Sequence, residues 1–216
     1  LSKIRYIVEW KKIDLHHHTF RDKEGTRQKD LKCYQKILQH FNENDGTLLA
    51  ITDHDKISFD SLKEYREEIE ERKYNMSVLP GIELSYRISL NEKKKDCDII
   101  LIFNPKDEPE LTKNHDEFFP QNYESKTDFA NYKKLCYSLV DYKIDFLAIP
   151  HFNKACNNLD YEFFNKDSKE YHNNIIHFDA LEGKNAFENH KNAIKKALSS
   201  NENKKNYIPI VMGTDA

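Results

Sequence analysis

Imidazoles and carboxylates gather in five short segments of this chain: Asp14-Leu15-His16-His17-His18-Thr19, Thr52-Asp53-His54-Asp55, Pro80-Gly81-Ile82-Glu83, Pro150-His151 and Gly213-Thr214-Asp215. Neutral imidazoles and carboxylates are ligands for Zn2+, Mn2+ and Fe2+. A His-x-His pair on a strand places both side chains on one face, because strand side chains alternate with a period of two. His16 and His18 can therefore address one site while His17 turns away. A carboxylate such as Glu83 can bridge two ions about 3.5–4 Å apart, an arrangement suited to phosphoester displacement. No thiol is needed for this chemistry, and Cys33, Cys97, Cys136 and Cys156 show no Cys-x-x-Cys spacing. They read as reduced thiols of a cytoplasmic protein. One histidine at a strand end is usually a hydrogen-bonded structural residue. Five strand ends carrying His, Asp or Glu are hard to explain that way.

The elements that must position these residues alternate in type. Lys11–Leu15, Thr47–Thr52, Ser77–Leu84, Asp96–Asn104, Asp145–Pro150, Ile175–Glu182 and Tyr207–Gly213 read as strands. The run Asp96–Asn104 is nearly continuous in apolar residues, as in strands buried on both faces. Gln28–Phe41, Ser58–Tyr74, Asp128–Tyr142 and Ala186–Ser200 carry helical spacing of apolar residues. Pro105–Thr127 and Asn153–Asn174 read as long loops. Strands that alternate with helices predict a parallel sheet with helices outside, and seven or eight such units usually close into a barrel. In such a barrel the active site is built at the C-terminal strand ends, where the five segments fall.

The 216 residues are enough for one domain with a real core, and 13 Phe and 12 Tyr argue against disorder despite a mean hydropathy of −0.86. A formal charge of −3 excludes a globally basic nucleic-acid binder but not a local basic groove among the 34 Lys and Arg. No run approaches the length of a membrane span, and Leu1–Trp10 lacks the charged-then-apolar order of a secretory signal. There is no Walker A pattern and no motif for a nucleophilic Ser or Cys.

Taken in order, DLHHHT, ITDHD, PGIEL, IPH and GTDA resemble the PHP (polymerase and histidinol phosphatase) family, over about Trp10 to Ala216. The resemblance implies a metal-dependent phosphoesterase on a distorted (β/α)7 TIM-like barrel of the PHP type. It implies two or three divalent ions (Mn2+, Zn2+ or Fe2+, with Mg2+ admitted) held by His16, His18, Glu24, His54, Glu83, Asp98, His151 and Asp215. Glu83 would be the bridging carboxylate, and Asp98 stands where the family usually has a histidine. Asp22 competes with Glu24 for the acidic position after the first motif. Asp53 or His151 would relay protons, and Lys184 and Asn185 would meet a substrate phosphate. The implied substrate is a nucleotide or nucleic acid, although no arginine occurs between Asn104 and Pro150 to clamp phosphate. WKKIDLHHHT and IILIFNP also look like PHP domains fused to AAA-like ATPases, so a fused or associated ATPase is an implied partner. The family motif runs from GTDA into a further histidine, which implies continuation past Ala216. The alternative is a scaffold module that has lost activity, which Asp98 would favour.

Overall fold

The computed structural model describes residues 12–19, 22, 33–90, 93–119, 127–151, 181–182 and 210–211; at 87–90, 93–97, 127–130, 151, 181–182 and 210–211 the description covers the backbone. In chain order the elements are β1 (Lys12–His17), α1 (Cys33–Glu43), β2 (Gly46–Ile51), α2 (Phe59–Arg72), β3 (Ser77–Leu90) and β4 (Lys93–Phe103). A 3-10 turn at Pro105–Asp107 leads to α3 (Glu108–Lys113), α4 (His115–Phe118), β5 (Thr127–Asp128), α5 (Phe129–Asp141) and β6 (Phe146–His151). Leu181–Glu182 (β7) and Ile210–Val211 (β8) complete the described strands.

The expected parallel (β/α)7 barrel is not what forms. The strands run β1-β2-β3-β4-β6-β7-β8, with β5 beside β3, and the long ones make a curled mixed half-barrel with few helices. The departure has one source. β3 and β4 pair antiparallel from Gly81↔Ile102 to Leu90↔Lys93, and only residues 91 and 92 separate them. A parallel return needs a crossover of about a dozen residues or more, usually helical, so a connection this short forces a hairpin. β6 pairs antiparallel to β4 in turn and thereby recovers the direction of β1, β2 and β3. β4 is thus the inverted strand. Reading Ser77–Leu84 and Asp96–Asn104 as separate short strands hid the extensions that meet at the turn.

The span 105–127, expected as loop, contains α3, α4 and β5. Its apolar residues are few, but Leu111, Phe118 and Phe119 are buried in the main core. The expected strand Ile175–Glu182 is described at its last two residues, and Tyr207–Gly213 at Ile210–Val211. The expected helix Ala186–Ser200 lies outside the described residues.

Two apolar clusters sit on opposite faces of the sheet, following the period-two alternation. The larger joins Leu49, Ile51, Val78, Ile82, Ile99, Leu101 and Phe103 to Leu38 of α1, Leu62 and Tyr65 of α2 and Tyr132 and Leu139 of α5. The smaller comprises Ala50, Ile100, Ile102 and Ile149, with Leu15 and Leu79 packed against it. Gly81 lies where strands approach closely: a Cβ there would stand 2.9 Å from both the Ile51 and the Leu101 carbonyl oxygens. Among the described residues, no helix is long and apolar enough to cross a membrane.

Candidate metal centre

The ends of β1 and β2 meet the middle of β3 at the candidate centre: Glu83, expected at a strand end, lies mid-strand because β3 runs on to Leu90 in its hairpin with β4. β1 and β2 run in parallel register, but Asp14 pairs with Leu49 and His17 with Ile51, so β1 carries one extra residue between them. Such a bulge re-aims side chains. Here Leu15 packs on the smaller cluster and the next residue, His16, reaches Glu83 on that same side. His17 turns the other way, and its Nε2 stands 2.8 Å from the Tyr65 hydroxyl of α2. Beyond the strands, Thr52 N–H donates to the His17 carbonyl (2.9 Å), Glu83 N–H to the Asp53 carbonyl (3.1 Å) and Asp55 N–H to the Glu83 carbonyl (2.9 Å). These bonds bring His54 alongside Glu83 as a parallel bridge.

The side chains converge. His16 Nε2, His18 Nε2 and Glu83 Oε2 form a triangle with sides of 2.9, 3.1 and 3.0 Å. His54 Nε2 stands 3.3 Å from the same Glu83 oxygen. Asp22 makes a second focus: its Oδ2 is 2.6 Å from His54 Nδ1 and 2.9 Å from His18 Nδ1, while its Oδ1 accepts the His54 amide at 3.1 Å. His18 faces both foci, Nε2 to Glu83 and Nδ1 to Asp22, and its ring stacks on His54 with centroids 4.5 Å apart. The buried side is His16, Glu83 and Asp22 (side chains 2%, 3% and 0% exposed), and the open side is His18 and His54 (29% and 21%).

Burial alone would raise the Glu83 carboxyl, but hydrogen bonds from His16 and His18 outweigh it and hold the group below the carboxylate range. Asp22 is likewise held low against its burial by His18 and His54. Burial works to lower His18, yet Asp22 and Glu83 together raise it to about 9. His54 moves up against its burial through Asp22 and the Glu83 charge. His17 is the exception. Burial drives it down to about 4, and the charge of Asp53 only partly opposes this.

His16, His18 and Glu83 form one group that could hold a metal ion, and His18, Asp22 and His54 form a second. The donor set fits a divalent ion for a simple reason. Each Nε2 can donate one proton at most and a carboxylate none, so at most two sides of the triangle can be hydrogen bonds. The third side sets like against like. Ligands about 2.1 Å from a common cation stand roughly 3 to 3.4 Å apart, which matches these separations.

The other sequence candidates are placed differently. Asp53 belongs to neither group. Its buried carboxylate accepts from Thr19 N–H and Thr19 Oγ1–H, each at 2.6 Å, and from the Ser58 hydroxyl. Asp98 takes a hydrogen bond from the Ser85 hydroxyl and pairs in register with His151, which pairs with Glu182. Asp98 lies in the middle of the inverted β4, opposite Ser85, and not at a strand's C-terminal end. For His151 the description stops at the backbone. Glu24, Lys184, Asn185 and Asp215 lie outside the described residues. Of the two acidic candidates after the first motif, Asp22 stands in the second group, four residues beyond His18. Sequence reasoning did not foresee Thr19 and Ser58 on Asp53 or Tyr65 on His17. The only signal was that polar residues cluster beside the histidines. No protein-family model matches the chain, and no curated protein matches it significantly.

Proposed function

We propose that this chain is a metal-dependent phosphoesterase that acts in the cytoplasm on nucleotides or nucleic acid. The observation that carries the reading is the triangle of His16, His18 and Glu83, whose three short sides cannot all be hydrogen bonds. His16, His18 and Glu83 would hold a divalent ion, or His18 would instead join Asp22 and His54 around it, because a neutral imidazole has one lone pair to give. Harder Mn2+ or borderline Zn2+ and Fe2+ suit such nitrogen and oxygen donors. The chemistry such ions supply when bound is neutralisation of phosphoryl charge and activation of water near neutral pH. Glu83 and Asp22 stay anionic and so bring two negative charges to the pair of sites. His16 and Glu83 close the buried side against solvent, and the stacked His18 and His54 leave the approach for substrate on theirs. The choice of a phosphoester over other substrates is supported by the resemblance of DLHHHT, ITDHD and PGIEL to PHP phosphoesterases.

A second reading, a non-catalytic module of a larger ATPase-containing protein, is favoured by one observation: Asp98 is engaged by Ser85. Metal content and catalysis separate the two. Protein purified without chelator is measured by elemental mass spectrometry. It is then assayed with Mn2+ on single-stranded DNA, RNA and a chromogenic phosphodiester. The expected result is bound transition metal and cleavage, both lost in His16→Ala. Metal-free protein that stays inactive with added Mn2+ overturns the phosphoesterase reading and leaves the scaffold.

A further inference from the structure

Asp53 sits beside the cluster without joining it. Its side chain is buried, and each of its oxygens is matched to a donor. The Oδ1 atom takes the Thr19 amide, one residue past His18, where β1 has ended. The Oδ2 atom takes the Thr19 and Ser58 hydroxyls, and Ser61 Oγ–H reaches Thr19 Oγ1 at 3.4 Å, so the start of α2 is tied to the same point. The backbone of Asp53 works in the opposite direction across the sheet, its carbonyl taking the Glu83 amide at 3.1 Å. One residue is therefore bonded to the neighbour of His18 on one side and to Glu83 itself on the other. Those two side chains must stand 3.0 Å apart for the first group to exist.

We propose that Asp53 is a positioning residue whose carboxylate, acting through Thr19, sets the separation of His18 and Glu83. The inference rests on the metal-centre reading above and assigns Asp53 a structural bond in place of proton transfer. Carboxylates that hold ligands from behind typically change metal affinity 10- to 100-fold when removed. Thr19 tests this without altering charge. Thr19→Ser keeps the amide and the hydroxyl that Asp53 accepts. Thr19→Val keeps the shape and the amide but loses the hydroxyl.

The experiment titrates metal-free protein with Co2+ and reads both affinity and the visible ligand-field spectrum, which reports coordination geometry. Wild type and Thr19→Ser are expected to give the same spectrum and affinity. Thr19→Val and Asp53→Asn are expected to lose about 10-fold or more in affinity and to show displaced bands. Thermal melts identify any variant that fails to fold. If Asp53→Asn fails, the Thr19 pair decides alone. Wild-type Co2+ affinity and spectrum in Thr19→Val, or in a folded Asp53→Asn whose turnover alone has fallen, overturns the positioning role and leaves the metal centre standing. A wild-type protein that binds no Co2+ overturns the metal centre and this inference with it.

Discussion

Two buried polar clusters lie within a few residues of each other where β1 and β2 end, and they obey different rules. In the Asp53 cluster every close approach pairs a donor with an acceptor: an amide and two hydroxyls meet one carboxylate. In the Glu83 cluster two imidazole nitrogens and a carboxylate oxygen stand mutually within 3.1 Å, and one of the three approaches must set like against like. The first pattern is how a protein satisfies buried polar groups on its own. The second leaves one approach unmatched by protons and could be completed by a metal ion. His17 and His18 show the contrast between neighbours on one strand: the first is held neutral by burial, the second kept protonated by two carboxylates.

The strongest way to break this contrast is Glu83→Gln. One Glu83 oxygen serves His16, His18 and His54, so the change should lower metal affinity at least 100-fold in calorimetric titration while circular dichroism stays native. Retained affinity would remove the distinction between the clusters. Asp22→Asn removes a carboxylate of the second group alone, and elemental analysis should find the metal of the first group kept; its loss would place the ion among His18, Asp22 and His54. Protons sharpen the contrast next. His18 holds its proton up to about 9 in the metal-free protein, so a metal taking its place must displace that proton. Affinity should therefore rise about tenfold per pH unit from pH 7 towards 9 and level off above it. A pH-independent affinity over that interval would contradict the charge state assigned to His18. The smallest effect belongs to the side where donors and acceptors match. Tyr65→Phe removes the partner of His17 Nε2 and should cost roughly 1–3 kcal/mol in denaturant unfolding. Metal stoichiometry should stay unchanged.

A related test concerns the frame that carries both clusters. Gly81 packs against the Ile51 and Leu101 carbonyls, so Gly81→Ala forces strands apart and should destabilise by about 1–3 kcal/mol. A melting temperature equal to wild type would show that β2, β3 and β4 can yield there.

Local sequence determined a good deal of this protein. The His16-x-His18 spacing pointed to two rings at one site, and the two rings do meet there, although β1 ends at His17. Apolar runs marked β2 and β6, and helical spacing marked α2 and α5, because both signals are written within a dozen residues. His16, His18, His54 and Glu83 were legible as a set by residue type, although Glu83, expected at a strand end, lies in the middle of β3. What local sequence left undecided depends on contacts far apart in the chain. The direction of β4 turned on a two-residue connection between strands longer than their apolar cores, and that hairpin replaced the expected parallel barrel. The bulge in β1 that turns His16 towards Glu83 exists only against β2. Asp22 enters the second group because His54 and His18 arrive from two other segments. The carboxylate of Asp53 is taken up by Thr19 and Ser58, partners 34 and 5 residues distant in the chain. Residue type says which groups can bind a metal. Only tertiary structure decides which of them already have a donor, because a hydrogen bond between distant segments leaves no local trace in sequence.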